Sequence, residues 1–201
     1  MPRRLRPAGG TIDGIVVTMT RRNRTLVVRP CRMRDVPRLS SLLQASWHAA
    51  HDQILGRPEA MRLGRRLYSR LNLGLWTARS IVSSHAMTVC IALQDDTAVG
   101  CAMAQRDGAE VVLYTLYVHP EWQAQGIGSA LLDAVIADHP DAKAIRLEVL
   151  KDNAAAIAWY KTKGFEIYGE TEHATGASDV AALYMDRPLL GGTNLVPSNP
   201  M

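Results

Sequence analysis

The stretch "YVHPEWQAQGIGSALLDAVIADH", Tyr117 to His139, decides how the rest of the chain is read. An aromatic and β-branched run ends at Pro120, a turn spaced by Gly126 and Gly128 follows, and an apolar pattern of helical period begins. Gly128, Leu131, Leu132, Val135 and Ile136 fall on one helical face, and His139 with Pro140 closes the helix. A strand therefore hands over to a helix within a few residues. Glycines at that point allow main-chain conformations and close approaches that a Cβ would block. The backbone N–H groups that open the helix have no partner inside it, and with the positive end of the helix dipole they form an anion site without needing Lys or Arg. A pyrophosphate suits such a turn. It is not a P-loop, because no Lys follows Gly128, and it lacks the third glycine of a dinucleotide-binding fingerprint.

Working outward, "EVVLYTLYV" before the turn follows "AVGCAMAQR" and "TVCIAL" through the tight turns "DG" and "QDDT", which predicts three strands in an antiparallel meander. After the helix come a buried-looking strand, "AIRLEVL", and a helix, "NAAAIAWYKTK", with Gly164 placed for a left-handed C-terminal cap. "FEIYGE" and "VAALYMDR" supply two closing strands. Upstream, "TLVVRP" is the expected first strand. Val36, Leu39, Leu42, Leu43, Ser46, Trp47 and Ala50 then recur at helical spacing after Asp35, predicting a helix that ends near His51. Residues 58–82 read as a weaker helical region broken around "LNLGLW". The order is β, helices, βββ, α, β, α, ββ, an α/β chain with a mixed sheet in which each later helix joins neighbouring strands.

Composition sets the outer bounds. A chain of 201 residues with 47% hydrophobic and 21% charged residues suits one soluble domain, and no apolar run approaches the ~20 residues a membrane span needs. Cys31, Cys90 and Cys101 share no pairing or metal-ligand spacing, so neither a disulfide framework nor a metal site is expected, and a reducing cytoplasm is the expected location. Residues 1–80 hold 16 Arg and no Lys against 4 acidic residues, whereas residues 81–201 hold 7 basic against 15 acidic residues. Arginines on solvated helix faces are the preferred reading of that asymmetry over a nucleic-acid partner, which would show as steeply salt-dependent binding. The domain is expected to span 25–188, with 1–24 a basic arm outside it and 189–201, rich in Gly, Pro and Asn, a tail.

"LYVHPEWQAQGIGSALL" resembles the acyl-CoA-binding motif of the GCN5-related N-acetyltransferase (GNAT) superfamily, with Gln123, Gly126 and Gly128 at the motif positions and Val118 and Pro120 ahead of them. "NAAAIAWYKTKGF" resembles the next block of that family through Asn153, Tyr160, Gly164 and Phe165. The resemblance implies an acyl-CoA N-acyltransferase fold, a mostly antiparallel central sheet flanked by helices, and transfer of an acetyl group from acetyl-CoA to an amine. It places the cofactor's pyrophosphate on the main chain of Gln123, Ala124, Gln125, Gly126, Ile127, Gly128 and Ser129. The pantetheine arm falls along Leu116, Tyr117 and Val118 in the manner of an added strand, with Asn153 and Ala156 beside it. Tyr160 matches the family's acid. The base is open: many relatives carry Glu where this chain has Val112, which leaves Glu110, two residues earlier on the same face, then Glu148, then His119 or His51, or no base at all with the amine arriving already deprotonated. The four tryptophans are expected in the core rather than on a ligand. The acceptor is expected to be a small-molecule or peptide amine; a homodimer is common among similar proteins. A CoA-bound regulatory module of the same fold with little catalysis is the alternative.

Overall fold

The computed structural model describes residues 17–21, 24–83, 86–174 and 180–189. The strands are β1 (Val17–Arg21), β2 (Arg24–Pro30), β3 (Met87–Gln94), β4 (Thr97–Asp107), β5 (Glu110–Val118), β6 (Ala144–Leu150), β7 (Glu166–Thr171) and β8 (Ala182–Pro188). The helices are α1 (Val36–Leu55), α2 (Arg57–Leu67), α3 (Arg70–Val82), α4 (Ile127–Asp138) and α5 (Ala154–Thr162). The strands form one sheet in the order β1-β2-β3-β4-β5-β6-β8-β7.

Strand alternation explains why both faces of this sheet are covered. In β4, Ala102 and Ala104 pack with Leu131, Val135, Ile145 and Phe165 on the side of α4 and α5, while Cys101 and Met103 pack with Leu39, Leu43, Trp47 and Leu73 on the side of α1 to α3. Every residue of β3 is buried. A fully buried Leu such as Leu131 contributes about 2–3 kcal/mol by leaving water. Among the described residues, no helix is long and apolar enough to cross a membrane.

Four expectations change. The arm expected over 1–24 contributes β1, whose Val17 to Arg21 pair with Val28 to Arg24; residues 1–16 and 190–201 lie outside the described residues. α1 runs on to Leu55. The break between α2 and α3 falls at Tyr68–Ser69 rather than in "LNLGLW", because the Ser69 hydroxyl caps α3 by accepting from Asn72 N, and Gly74 sits inside that helix. Finally, α5 does not join neighbouring strands: β6 pairs with β8, and β7 lies outside it at the sheet edge.

Candidate active site

The site begins with an irregularity of one residue. Along β4 and β5, Ala104 pairs with Leu113 but Met103 pairs with Thr115, so Tyr114 is an extra residue, a β-bulge. Its ring is pushed outward against Trp76, 5.4 Å between centroids. At the same point β5 parts from β6. The two strands pair in parallel only from Glu110↔Ala144 to Leu113↔Leu147; beyond that they diverge, although each continues for several residues. The result is a fork whose β5 arm, Tyr114 to Val118, has no β6 partner. A cleft of about 510 Å³ opens there, walled by Leu116 and Tyr117 of β5, Glu148 and Leu150 of β6, and Asn153, Ala156 and Tyr160 of α5.

At the end of the fork the chain turns into α4. Ala124 (φ 59°) and Gly126 (φ 85°) are both left-handed, and Gly126 is the N-cap residue with no side chain capping the helix. The first bond of α4 runs from Ala130 N to Gly126 O, so the N–H groups of Ile127, Gly128 and Ser129 precede it without intrahelical partners. A Cβ on Gly126 would meet nothing within 4 Å, whereas one on Gly128 would lie 3.1 Å from Trp159. Gly126 thus borders open space in front of free donors, and Gly128 lets α5 approach. The Gln123 amide reaches back to Val118 O at 3.3 Å and ties the turn to β5. Ile127 is buried, leaving only its backbone for a ligand.

Tyr160 is buried between Trp159 and Phe165, with ring centroids 5.1 and 5.3 Å away, and burial pushes its hydroxyl far above the usual tyrosine range, so it stays protonated. On the opposite wall the Tyr68 hydroxyl faces those of Thr115 and Tyr117; burial raises it to about 12, and that of Tyr117 well above its ordinary value. Asn153 accepts from Ala156 N at 3.2 Å and caps α5.

Glu110 is placed apart from these groups. It begins β5, six residues before Leu116 and roughly 20 Å away along a strand. There it pairs with Arg146 at 3.5 Å, and Arg146 also bonds Asp107. Glu148, on the same face of β6 as Arg146, stands on the cleft wall. His51 is also on the wall, whereas His119 is not; its Nδ1 has no hydrogen-bond partner among the described residues. Trp47 is core, donating to Ala60 O at 2.8 Å, although its edge and that of Trp76 reach the cleft. The tyrosine cluster of Tyr68, Tyr117, Tyr168 and Tyr184 around the cleft has no motif of its own in the sequence, since it assembles from four separate elements and loops.

An extended amide chain ending in a pyrophosphate fits these residues: the unpaired β5 arm offers it a strand partner, and the donors beside Gly126 face the space a Cβ would fill.

The profile of the acetyltransferase (GNAT) family matches residues 47–165. A 96-residue stretch is 38% identical to an uncharacterized protein of Mycobacterium leprae, covering 46% of this chain and 26% of that one. A 59-residue stretch is 42% identical to the [ribosomal protein bS18]-alanine N-acetyltransferase of Escherichia coli, covering 28% of this chain and 39% of that enzyme. The matches thus span about a quarter to two fifths of these curated relatives. Among solved structures, the PaiA N-acetyltransferase of Thermoplasma acidophilum, crystallised with coenzyme A, superposes with a TM-score of 0.71 at 21% identity over 82% of this chain and 99% of that one. The ribosomal-protein-S18-alanine N-acetyltransferase of E. coli gives 0.61 at 23% identity over 85% and 99%. At such identities the likeness is one of fold.

Proposed function

The chain belongs to the acetyltransferase (GNAT) family, and from that premise we propose that it transfers an acetyl group from acetyl-CoA to a primary amine of a peptide or small molecule by direct attack with both substrates bound. Acetyl-CoA is the cofactor of the family. The observation that carries the reading is the fork between β5 and β6, opening onto a cleft that contains a protonated tyrosine and a carboxylate. The backbone of Leu116 to Val118 would hold the pantetheine arm, and the N–H groups from Gln123 to Ser129 the pyrophosphate. When bound, the cofactor supplies an activated acetyl group on a thiol leaving group.

The chain's own residues supply orientation and proton transfer. A lysine-like amine, with a pKa near 10.4, arrives as an ammonium at neutral pH, and a chain-terminal amine, near 7.7–8.0, needs less help. Glu148, rather than Glu110, takes that proton in this reading, because it is Glu148 that reaches the cleft. Tyr160 Oη, held protonated by burial, would give a proton to the thiolate released as the N–C bond replaces the C–S bond, and would be restored by the second proton that the nitrogen sheds on becoming an amide. The similarity to a ribosomal-protein alanine acetyltransferase favours a polypeptide N-terminus as the acceptor.

Titration calorimetry with acetyl-CoA, followed by thiol release over a panel of small primary amines and peptides with N-terminal alanine, tests the proposal. Micromolar binding with turnover that Tyr160→Phe lowers ~10²-fold or more is expected. No binding up to millimolar acetyl-CoA defeats it. Binding without turnover, in wild type and Tyr160→Phe alike, assigns the chain instead to the regulatory class.

A further inference from the structure

We propose that His51 receives the acceptor's amine nitrogen, its Nε2 accepting a hydrogen bond from an amine N–H inside the cleft; the inference rests on the acetyl-transfer reading above. His51 and Trp47 lie one turn apart on α1, and their rings are stacked, 4.0 Å between centroids at 18°. His51 Nδ1 is 3.0 Å from Trp47 O. A carbonyl oxygen only accepts, so Nδ1 carries the proton and Nε2 is left with a lone pair. That nitrogen has no hydrogen-bond partner among the described residues, while the side chain is 5% exposed and sits on the cleft wall. The ring is packed away from solvent on its other sides, so this lone pair opens only onto the cleft, where a ligand N–H can donate to it.

The surroundings specify what kind of ligand. Burial lowers the His51 pKa, so the imidazole is neutral and an acceptor at physiological pH. Its neighbour Asp52 is engaged by His48 at 2.9 Å, and from β5 the Tyr117 ring meets His51 edge-on at 6.1 Å. Tyr68 and Tyr117 stay neutral, and Arg146 on the floor is held by Asp107 and Glu110. A neutral acceptor that shares a cleft with the carboxylate of Glu148 matches a primary amine, which brings three N–H donors when charged and keeps two after losing one proton.

The test is steady-state kinetics of His51→Phe and His51→Gln with the panel amine that the wild-type chain acetylates fastest. Phe keeps the stack on Trp47 and removes the acceptor; Gln restores a polar acceptor at similar reach. His51→Phe should raise KM for the amine tenfold or more, leaving KM for acetyl-CoA and the melting temperature near wild type, and His51→Gln should recover most of the loss. An unchanged amine KM in His51→Phe overturns the inference, as does a loss spread equally over both substrates and shared by His51→Gln. A wild-type chain that binds acetyl-CoA but acetylates no amine defeats the underlying reading first, and this inference with it.

Discussion

Gly126 and Gly128 stand two positions apart and answer to different constraints. Gly126 is needed for its positive φ and for the open space before the α4 donors; Gly128 is needed because Trp159 lies against it. Gly126→Ala should cost about 1–2 kcal/mol in chemical denaturation, the strain of a left-handed alanine, and weaken acetyl-CoA tenfold or more in titration. Gly128→Ala should destabilise through displaced packing, about 1–3 kcal/mol, with the smaller effect on binding. Equal affinities for the two variants would refute this division of roles. A second residue, Asp35, is fully buried and was expected only to open a helix. It accepts from Arg29 at 2.7 and 3.0 Å and from Arg32 N at 2.9 Å, with Arg38 at 3.6 Å. Burial pushes its pKa up, but the Arg29 bonds and the Arg32 N–H outweigh it and hold the carboxyl below its ordinary value. Since the unfolded value is about 3.9, this contribution is complete above roughly pH 4 and disappears as pH falls through the lower folded value. Asp35→Ala should therefore lose about 3–5 kcal/mol at pH 7, where Arg29 is left without its partner, and visibly less near pH 2, as urea melts at the two pH values will show.

At the scale of elements, the cap on α5 couples stability to the site. Asn153 accepts from Ala156 N, and the helix it starts presents Ala156 and Tyr160 to the cleft. Asn153→Ala should cost about 1 kcal/mol, or 2–4 °C in melting temperature, and Asn153→Ser should recover most of it by calorimetry. If serine restores stability but not acetyl-CoA affinity, the asparagine serves the cofactor as well as the helix. These elements differ in how far the sequence announces them. The α4 pattern and Gly164, at φ 81°, follow from spacing and composition, because apolar period and left-handed caps are local properties. The β5 bulge at Tyr114 leaves no such trace: inserting one residue among "EVVLYTLYV" changes neither composition nor hydrophobicity, only which side chains face α1. Likewise Ser69, not the glycine in "LNLGLW", separates α2 from α3, since a glycine inside a helix costs only about 1 kcal/mol and α1 packs across both.

For the whole molecule, the fork is where distant parts of the chain meet, and its effect should be global. Two glycines, a tyrosine and an asparagine in two blocks are enough to propose a place for a cofactor, and these residues gather around the fork and the turn after it; the choice of base is not legible, because Glu110 and Glu148 are told apart only by how β5 and β6 part company after Leu113 and Leu147. Elsewhere β5 is braced by β4 along its length; in the fork its other edge has no β6 strand beside it. A ligand that fills this edge adds backbone bonds to the folded state alone. At a hundredfold excess over its Kd, acetyl-CoA should stabilise the chain by about 2.7 kcal/mol, which for a domain of this size raises the melting temperature by roughly 5–10 °C. The distribution of that gain is the sharper measurement. Hydrogen exchange should slow at backbone amides in Tyr114–Val118 and Ile127–Ser129 on adding acetyl-CoA, while β3, fully buried in the free chain, should exchange as before. Stabilisation of the same size with protection confined to α1–α3 would mean that the cofactor enters from the other face of the sheet, and the fork would then lose its role.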